Sequence, residues 1–392
     1  MNSFFTQLRC SKCDRTFTPE VPQTFCPHCT KPLLAEYDLS SARKSLNREH
    51  LAARVGSLWR YRELLPVIDD GNIVTLGEGW TPLLRAQTLG RELGIDRLFI
   101  KDEGLNPTGS FKARGLSLAV SKAKELGISE VAMPSAGNAG GALAAYAAAA
   151  GVKAHVFVPR DTPAVNINEV SLYGATVYLV DGVISDAANK MNEMKQGKEW
   201  FDMSTMKEPY RLEGKKTMGY ELAEQFRWEL PDVILYPTGG GTGLVGMWKA
   251  FHEMEELGWI SGKRPKMVSV QSSGCAPIVK AFREKQTQSE FWQNSRTCAS
   301  GLRVPKAFAD TMILQTLYES GGTAVTVEDE DLLQDMRRAA ETEGIFLCPE
   351  GSAAISAARR LRREEFIGAS DTVLLFNTGT WYKYIELYVK RN

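Results

Sequence analysis

The sequence predicts an α/β protein with a mostly parallel sheet covered by helices on both faces, preceded by a small cysteine-rich unit. Three observations carry this expectation. Short apolar runs alternate with amphipathic stretches from Leu98 onward, the pattern of strand–helix–strand units. Glycine-bearing loops follow three of the apolar runs and lead into helical stretches. Two Cys-x-x-Cys pairs fall within the first 30 residues.

Taken in order, Cys10-x-x-Cys13 and Cys26-x-x-Cys29 form two knuckles separated by twelve residues. Two-residue spacing lets both sulfurs of a knuckle face one tetrahedral ion, so the pattern reads as a zinc ribbon over residues 1–38. This stretch has too few apolar residues for a core of its own, and a metal is the expected staple. A pair of disulfides is the alternative, disfavoured in a reducing compartment. A closed four-cysteine site leaves no open position, so it is expected to be structural. Ser40 to Leu65 reads as mostly helical, and Gly77-Glu78-Gly79 marks a turn. Leu98–Lys101, Glu130–Pro134, His155–Val158, Thr176–Val180, Val233–Tyr236, Met267–Val270 and Val373–Phe376 read as strands. Ligands in such folds gather at the carboxyl ends of strands. The loops at Ser135, Gly239 and Asn377 all leave strands at that end, so one cleft can receive all three.

Composition narrows the function. The 392 residues carry 47 basic and 47 acidic side chains, without the basic excess that a nucleic-acid or acidic-membrane partner requires. The longest apolar run, Ala142 to Ala150, is far short of the roughly 20 residues of a membrane span. It reads instead as a close-packed helix. No apolar leader is visible at the start, and a cytoplasmic location is the expectation. None of the four histidines falls in a catalytic pattern. Cys275, Cys298 and Cys348 are isolated and expected to be buried, not nucleophilic.

Three motifs carry chemistry. In Asn106-Pro107-Thr108-Gly109-Ser110-Phe111-Lys112-Ala113-Arg114-Gly115, a lysine follows a Gly-Ser turn where a helix over 113–126 is predicted to begin. Near the positive end of a helix its ammonium is disfavoured, which makes a neutral, Schiff-base-forming amine easier to reach. Ser135-Ala136-Gly137-Asn138-Ala139-Gly140-Gly141 follows a strand and opens an alanine-rich helix, a natural cradle for a carboxylate or phosphate. Thr238-Gly239-Gly240-Gly241-Thr242-Gly243 is a second strand–nest–helix, whose glycines let backbone approach a phosphate. It is not a Walker A loop, because no Gly-Lys-Ser/Thr ends it, and it does not fit the dinucleotide fingerprint.

Together these motifs resemble the pyridoxal-phosphate enzymes of the tryptophan-synthase-β fold, and within that group the threonine synthases. The resemblance runs through Gly77–Leu83, Pro209–Thr217, Val270–Val279, Ala299–Pro305 and Asn377–Thr380. It implies a two-lobed catalytic region over residues 39–392, a smaller domain inserted at about 113–205, pyridoxal 5′-phosphate as cofactor, an amino-acid substrate and a homodimer. By this resemblance Lys112 joins the cofactor and moves protons as general base and acid. Gly239, Gly240, Gly241, Thr242 and Gly243 hold the cofactor phosphate. Asn138 bonds the ring oxygen, Phe111 packs on the ring, and Thr378 faces the ring nitrogen. Ser135, Ala136, Gly137 and Ala139 belong to the substrate-carboxylate loop. Arg211 is the candidate clamp for a substrate phosphate, since a guanidinium matches phosphate oxygens bidentately; an ordinary ion pair with Glu213 is the alternative. Lys215 and Lys216 are secondary candidates.

The implied reaction converts O-phospho-L-homoserine and water into L-threonine and phosphate. Some residues depart from the threonine-synthase pattern. Ala113 stands where many members have aspartate, and Ala139 where many have threonine. Glu208 replaces an asparagine, and a glutamate near a bound phosphate repels it. Trp381 and Tyr382 replace smaller residues. A serine/threonine dehydratase or a cysteate-synthase-like β-replacement enzyme is therefore the alternative. A non-catalytic binding protein that kept the fold is the reading from a different class.

Overall fold

A computed structural model describes residues 3–389. The expected strands form, divided between two sheets. The larger sheet has the order Thr323–Val327, Lys266–Ser272, Val233–Pro237, Thr372–Asn377, Arg97–Asp102, Leu83–Arg85. All neighbours are parallel except the last pair. Its central strands are continuous apolar runs because both faces are covered. Ile234, Leu374 and Met267 face a core shared with helices Tyr210–Gln225, Thr242–Glu256 and Asp310–Glu319. Leu235, Val268 and Leu375 face another, shared with helices Asp329–Glu343 and Pro349–Arg363.

The smaller sheet is wholly parallel, in the order Thr176–Val180, Lys153–Pro159, Glu130–Pro134, Phe201–Asp202. Val131, Met133 and Val156 pack with helices Lys112–Glu125 and Asn138–Ala150. The Ser135 loop therefore leaves a different sheet from the Gly239 and Asn377 loops. The apolar pattern could not separate the sheets, because strands buried on both faces look alike wherever they pair.

The first 38 residues contain a three-stranded antiparallel sheet, with Phe5–Cys10 between Thr16–Phe17 and Leu33–Tyr37. The sulfurs of Cys10, Cys13, Cys26 and Cys29 all lie within 4.8 Å of one another. Phe5, Leu8, Leu33 and Ala35 enter the same core as Leu116, Ala119 and Val120 of the Lys112–Glu125 helix. After Tyr37, Asp38 caps the short helix Leu39–Ser45 through the Ser41 amide. The rest of the segment predicted as mostly helical is two 3₁₀ stretches, Arg48–Ala53 and Leu58–Leu64. Extended backbone at Leu46, Asn47 and Arg54 interrupts it, and the Asn47 side chain caps the Glu49 amide, a competition with helix that short polar residues favour. Among the described residues no helix is long and apolar enough to cross a membrane.

A fully buried charge network joins four segments. Arg114 pairs with Glu103 at 2.6 Å and with Glu221 at 2.8 Å. Glu221 also takes the Lys101 ammonium and the amides of Trp80 and Thr81. Burial pushes the Glu221 carboxyl up, but Arg114 and Lys101 outweigh it and lower it to about 2. Glu103 in turn accepts the Thr81 hydroxyl at 2.6 Å. Removing one member leaves buried charge without a partner, which costs about 3–5 kcal/mol. Arg114→Met is therefore expected to lower the unfolding free energy by about that amount, measured by urea titration. A loss under about 1 kcal/mol would show that the network carries no net stability.

Candidate active site

Lys112 is the first residue of its helix, Lys112–Glu125, one residue earlier than the sequence suggested. The turn before it is stitched to the end of strand Thr372–Asn377. The Phe111 amide donates to the Thr378 carbonyl at 3.1 Å and the Thr380 amide to the Gly109 carbonyl at 2.7 Å, while Ser110 bridges Gly379. Three sequence-predicted residues, Lys112, Phe111 and Thr378, are thereby brought to one place. Asn138 reaches it from the other lobe: its Nδ2 lies 3.3 Å from where a Cβ on Gly379 would stand. Asn138 Oδ1 is buried and has no hydrogen-bond partner.

The Gly239–Gly243 nest leaves strand Val233–Pro237 and opens helix Thr242–Glu256. Gly241 has φ 74°, a left-handed conformation that glycine adopts without strain. Gly243 is excluded from carrying a side chain for a different reason, because a Cβ there would sit 2.0 Å from the Tyr236 hydroxyl. Tyr236 meets the Phe111 ring edge-on at 6.1 Å between centroids, which places the nest beside the lysine segment.

The Lys112 amine is lowered to about 7. Burial is the main cause, the Arg211 charge adds to it, and Glu350 works in the opposite direction. The helix start anticipated from sequence is present, and burial and a neighbouring guanidinium lower the amine in the same direction. The amine sits 4.1 Å from the centre of the Phe111 ring, and the buried Lys215 amine sits 4.5 Å from the same ring. Lys215 donates to the Phe111 carbonyl. Burial, then Lys112 and Arg211, drive its amine well below the ordinary range. Lys216, the other secondary candidate, is instead paired with Glu213 and Glu253.

Arg211 is 2% exposed. Its Nη1 donates to the Met203 carbonyl at 2.7 Å, and its Nε has no partner. The ion pair with Glu213 does not form, because Glu213 binds Tyr37, Lys216 and Lys249. Glu208 caps the Arg211 helix, accepting the amides of Tyr210 and Arg211 at 2.7 and 3.1 Å. Burial pushes its carboxyl up to about 7 despite Arg211, a direction that weakens the anticipated repulsion of a phosphate.

The Ser135 hydroxyl is used inside its own loop. It accepts the Gly140 amide at 2.8 Å and donates to the Gly137 carbonyl at 3.0 Å. Two residues that sequence reading did not place in the site also come close. Cys348 Sγ lies 3.7 Å from the Thr378 hydroxyl and accepts the Gly351 amide at 3.3 Å. Burial holds its thiol well above the ordinary range, so the expectation of an inert, buried cysteine agrees with the geometry. Glu350 bears on Lys112 through its charge. The only sequence signal for either was Pro349, a helix-start residue with an acid following it.

A buried amine near neutrality, a glycine nest at a helix start, an unpartnered asparagine oxygen and a neutral hydroxyl converge here. This donor set fits a phosphorylated aldehyde cofactor, the class of site that the fold presents at the ends of its parallel strands. Residues 74–379 match the pyridoxal-phosphate dependent enzyme family, and the chain belongs to it. It is 36% identical to threonine synthase of Methanocaldococcus jannaschii, covering 95% of this chain and 91% of that one. It is 35% identical to threonine synthase of Methanosarcina acetivorans over the same shares. The fold is shared with maize serine racemase (TM-score 0.65, 20% identity, 79% of this chain and 92% of the other). It is shared as well with the processed threonine deaminase isoform 2 of Solanum lycopersicum (0.65, 21%, 79% and 83%). The chain is a pyridoxal-phosphate-dependent lyase.

In apoprotein the rate of Lys112 modification by an amine reagent, followed by peptide mass spectrometry, is expected to rise with pH to a plateau with a midpoint near 7. Arg211→Met should move that midpoint up and Glu350→Gln should move it down, because the first group opposes the protonated amine and the second favours it. A midpoint near the ordinary lysine value would show that the amine is not held neutral.

Proposed function

We propose that this chain is a threonine synthase, forming L-threonine and phosphate from O-phospho-L-homoserine and water. The observation that carries the reading is Arg211. A buried guanidinium with an unpartnered Nε stands close enough to Lys112 to depress its amine, and the relatives that share the chain's length bear the same function in their names.

Lys112 would hold the cofactor aldehyde, the Gly239–Gly243 amides and the Thr242 hydroxyl its phosphate, Asn138 its ring oxygen and Thr378 its ring nitrogen. Phe111 would flank the ring. When bound, the cofactor supplies an electron sink for charge developing at the substrate α-carbon. Backbone amides of Ser135, Ala136, Gly137 and Ala139 would orient the substrate carboxylate, a role left to the backbone because the Ser135 hydroxyl is engaged. Lys112 Nζ, lowered to about 7 by burial and the Arg211 charge, would take the α-proton and later return protons to carbon. Arg211 would receive the phosphate leaving the γ-carbon. Facing the ring nitrogen, a Thr378 hydroxyl would not force a proton onto it as a carboxylate would, which would favour expulsion of a β or γ group over transamination.

The four clustered cysteine sulfurs suit one structural Zn2+, and residues of about 113–205 would close over the cofactor as a lobe. A homodimer in the cytoplasm completes the reading.

O-phosphohomoserine, threonine, serine and phosphoserine offered in parallel test it. Phosphate release matched by threonine formation is the expected result. Ammonia and a 2-oxo acid from threonine would instead assign a dehydratase. Lys112→Ala is expected to lower turnover by about 10³-fold or more while the protein stays folded, and borohydride should trap the cofactor on Lys112 alone. Cys10→Ser is expected to lower bound zinc and the unfolding midpoint, with little change in kcat of the folded enzyme. A purely kinetic loss would contradict a structural metal.

A further inference from the structure

One buried ion pair has no part in the reaction as described so far. Lys383 Nζ donates to both carboxylate oxygens of Glu169, at 2.9 and 2.7 Å. The two side chains are 8% and 14% exposed. Burial lowers the Lys383 amine and raises the Glu169 carboxyl, and each partner opposes that shift in the other. Among the described residues neither forms a second ion pair. Held out of water, the pair tolerates little displacement, because an ammonium drawn away from its carboxylate there is left without a partner.

The pair also spans the two sheets. Glu169 lies on helix Ala164–Leu172, between strands Lys153–Pro159 and Thr176–Val180 of the smaller sheet. Lys383 lies in the 3₁₀ turn Trp381–Tyr384, just after strand Thr372–Asn377 of the larger one. Each rests on a glycine of the candidate site. A Cβ on Gly141 would collide with the Glu169 carboxylate, and one on Gly109 would lie 3.6 Å from Lys383 Cε. Gly141 is in the first turn of the helix that Asn138 opens, and Gly109 is in the turn that leads into Lys112. The same two segments meet again at Gly379, where a Cβ would lie 3.3 Å from Asn138 Nδ2 and 3.6 Å from the Gly109 carbonyl. The Asn138 helix and the Lys112 turn are thus tied at two separate points. One tie would leave the helix free to pivot, and the second fixes its orientation.

We propose that the Lys383–Glu169 pair is a positioning element that, through its seats on Gly109 and Gly141, sets Asn138 against the cofactor ring. Neither side chain touches the cofactor; both act through the backbone on which they rest. The inference rests on the proposed role of Asn138 toward the ring oxygen.

Equilibrium binding of pyridoxal 5′-phosphate to the apoprotein, read from cofactor absorbance, tests this as a double-mutant cycle. Glu169→Leu is expected to weaken binding by about tenfold in the wild-type background and by less than about twofold in the Asn138→Ala background. Gly141→Ala is expected to behave like Glu169→Leu, because the added methyl displaces the carboxylate and leaves its charge intact. Glu169→Gln, which keeps an acceptor for the Lys383 ammonium, should lose no more than about threefold. A merely structural residue would weaken binding by the same factor in both backgrounds. Equal losses in the two backgrounds, or wild-type affinity in Glu169→Leu, would overturn the proposal. If Glu169→Leu does not fold, Gly141→Ala is read by the same rule. Wild-type affinity in Asn138→Ala would remove the role of Asn138 and the coupling with it. Failure to make threonine from O-phosphohomoserine, with the coupling intact, would remove the proposed reaction and leave the pair assigned.

Discussion

The pairing of Arg114 with Glu103 and Glu221 is the constraint on which the rest of the structure depends. Four charged side chains, counting Lys101, lie wholly out of water. Such a cluster is tolerable only when nearly every lone pair and proton is matched. Here the matching partners include the backbone amides of Trp80 and Thr81 and the Thr81 hydroxyl. The turn at Gly77–Leu83, strand Arg97–Asp102, the Lys112 helix and helix Tyr210–Gln225 are thus fixed relative to one another. The two helices cross where each has a glycine. A Cβ on Gly214 would lie 2.1 Å from the Arg114 carbonyl, and one on Gly115 would lie 2.8 Å from the Arg211 carbonyl. That close crossing brings Arg211 within electrostatic reach of Lys112.

The charge state of Lys112 follows from this arrangement. Burial alone lowers an amine, but its extent depends on what else is buried nearby. Arg211 reinforces burial and Glu350 resists it, leaving the amine near 7. An amine much lower would be too weak a base to take a carbon-bound proton. One much higher would be protonated and unable to attack an aldehyde. Glu208 is balanced in a similar way: burial favours its neutral form, while Arg211 and two backbone amides favour its charge. The glutamate that looked hostile to phosphate in the sequence is occupied as a helix cap.

The parts of the site legible in the sequence are those built by contiguous residues. Lys112, Asn138 and the Gly239–Gly243 nest each sit on one strand–turn–helix passage, whose apolar run, glycines and helix start are written side by side. Resemblance to a family placed Thr378 and Arg211. What stayed hidden depends on distant pairing. Nothing local to Pro349-Glu350 announces a partner in Tyr384 or Gly301. The inward turn of the Ser135 hydroxyl is decided by the path of its loop, which spacing does not describe. The division of the strands between two sheets was not written in the apolar pattern, since Val131 and Val233 are both fully buried members of parallel strands; only the family resemblance, with its insert at about 113–205, anticipated it.

The cysteine unit belongs to the same argument. A unit that merely decorated the surface would contribute no side chains to the core beneath Lys112. This one places Phe5 and Leu8 against Leu116 and Val120 of the Lys112 helix. Its last strand carries Tyr37, whose hydroxyl donates to Glu213 at 2.7 Å, two residues beyond Arg211. The ammonium of Lys216 lies 3.9 Å from the centre of the Tyr37 ring. A stretch too poor in apolar residues to hold itself together therefore buttresses both helices that supply the charged groups of the site. The four clustered sulfurs belong to that same unit, and its packing supports both helices whose crossing brings Arg211 to Lys112.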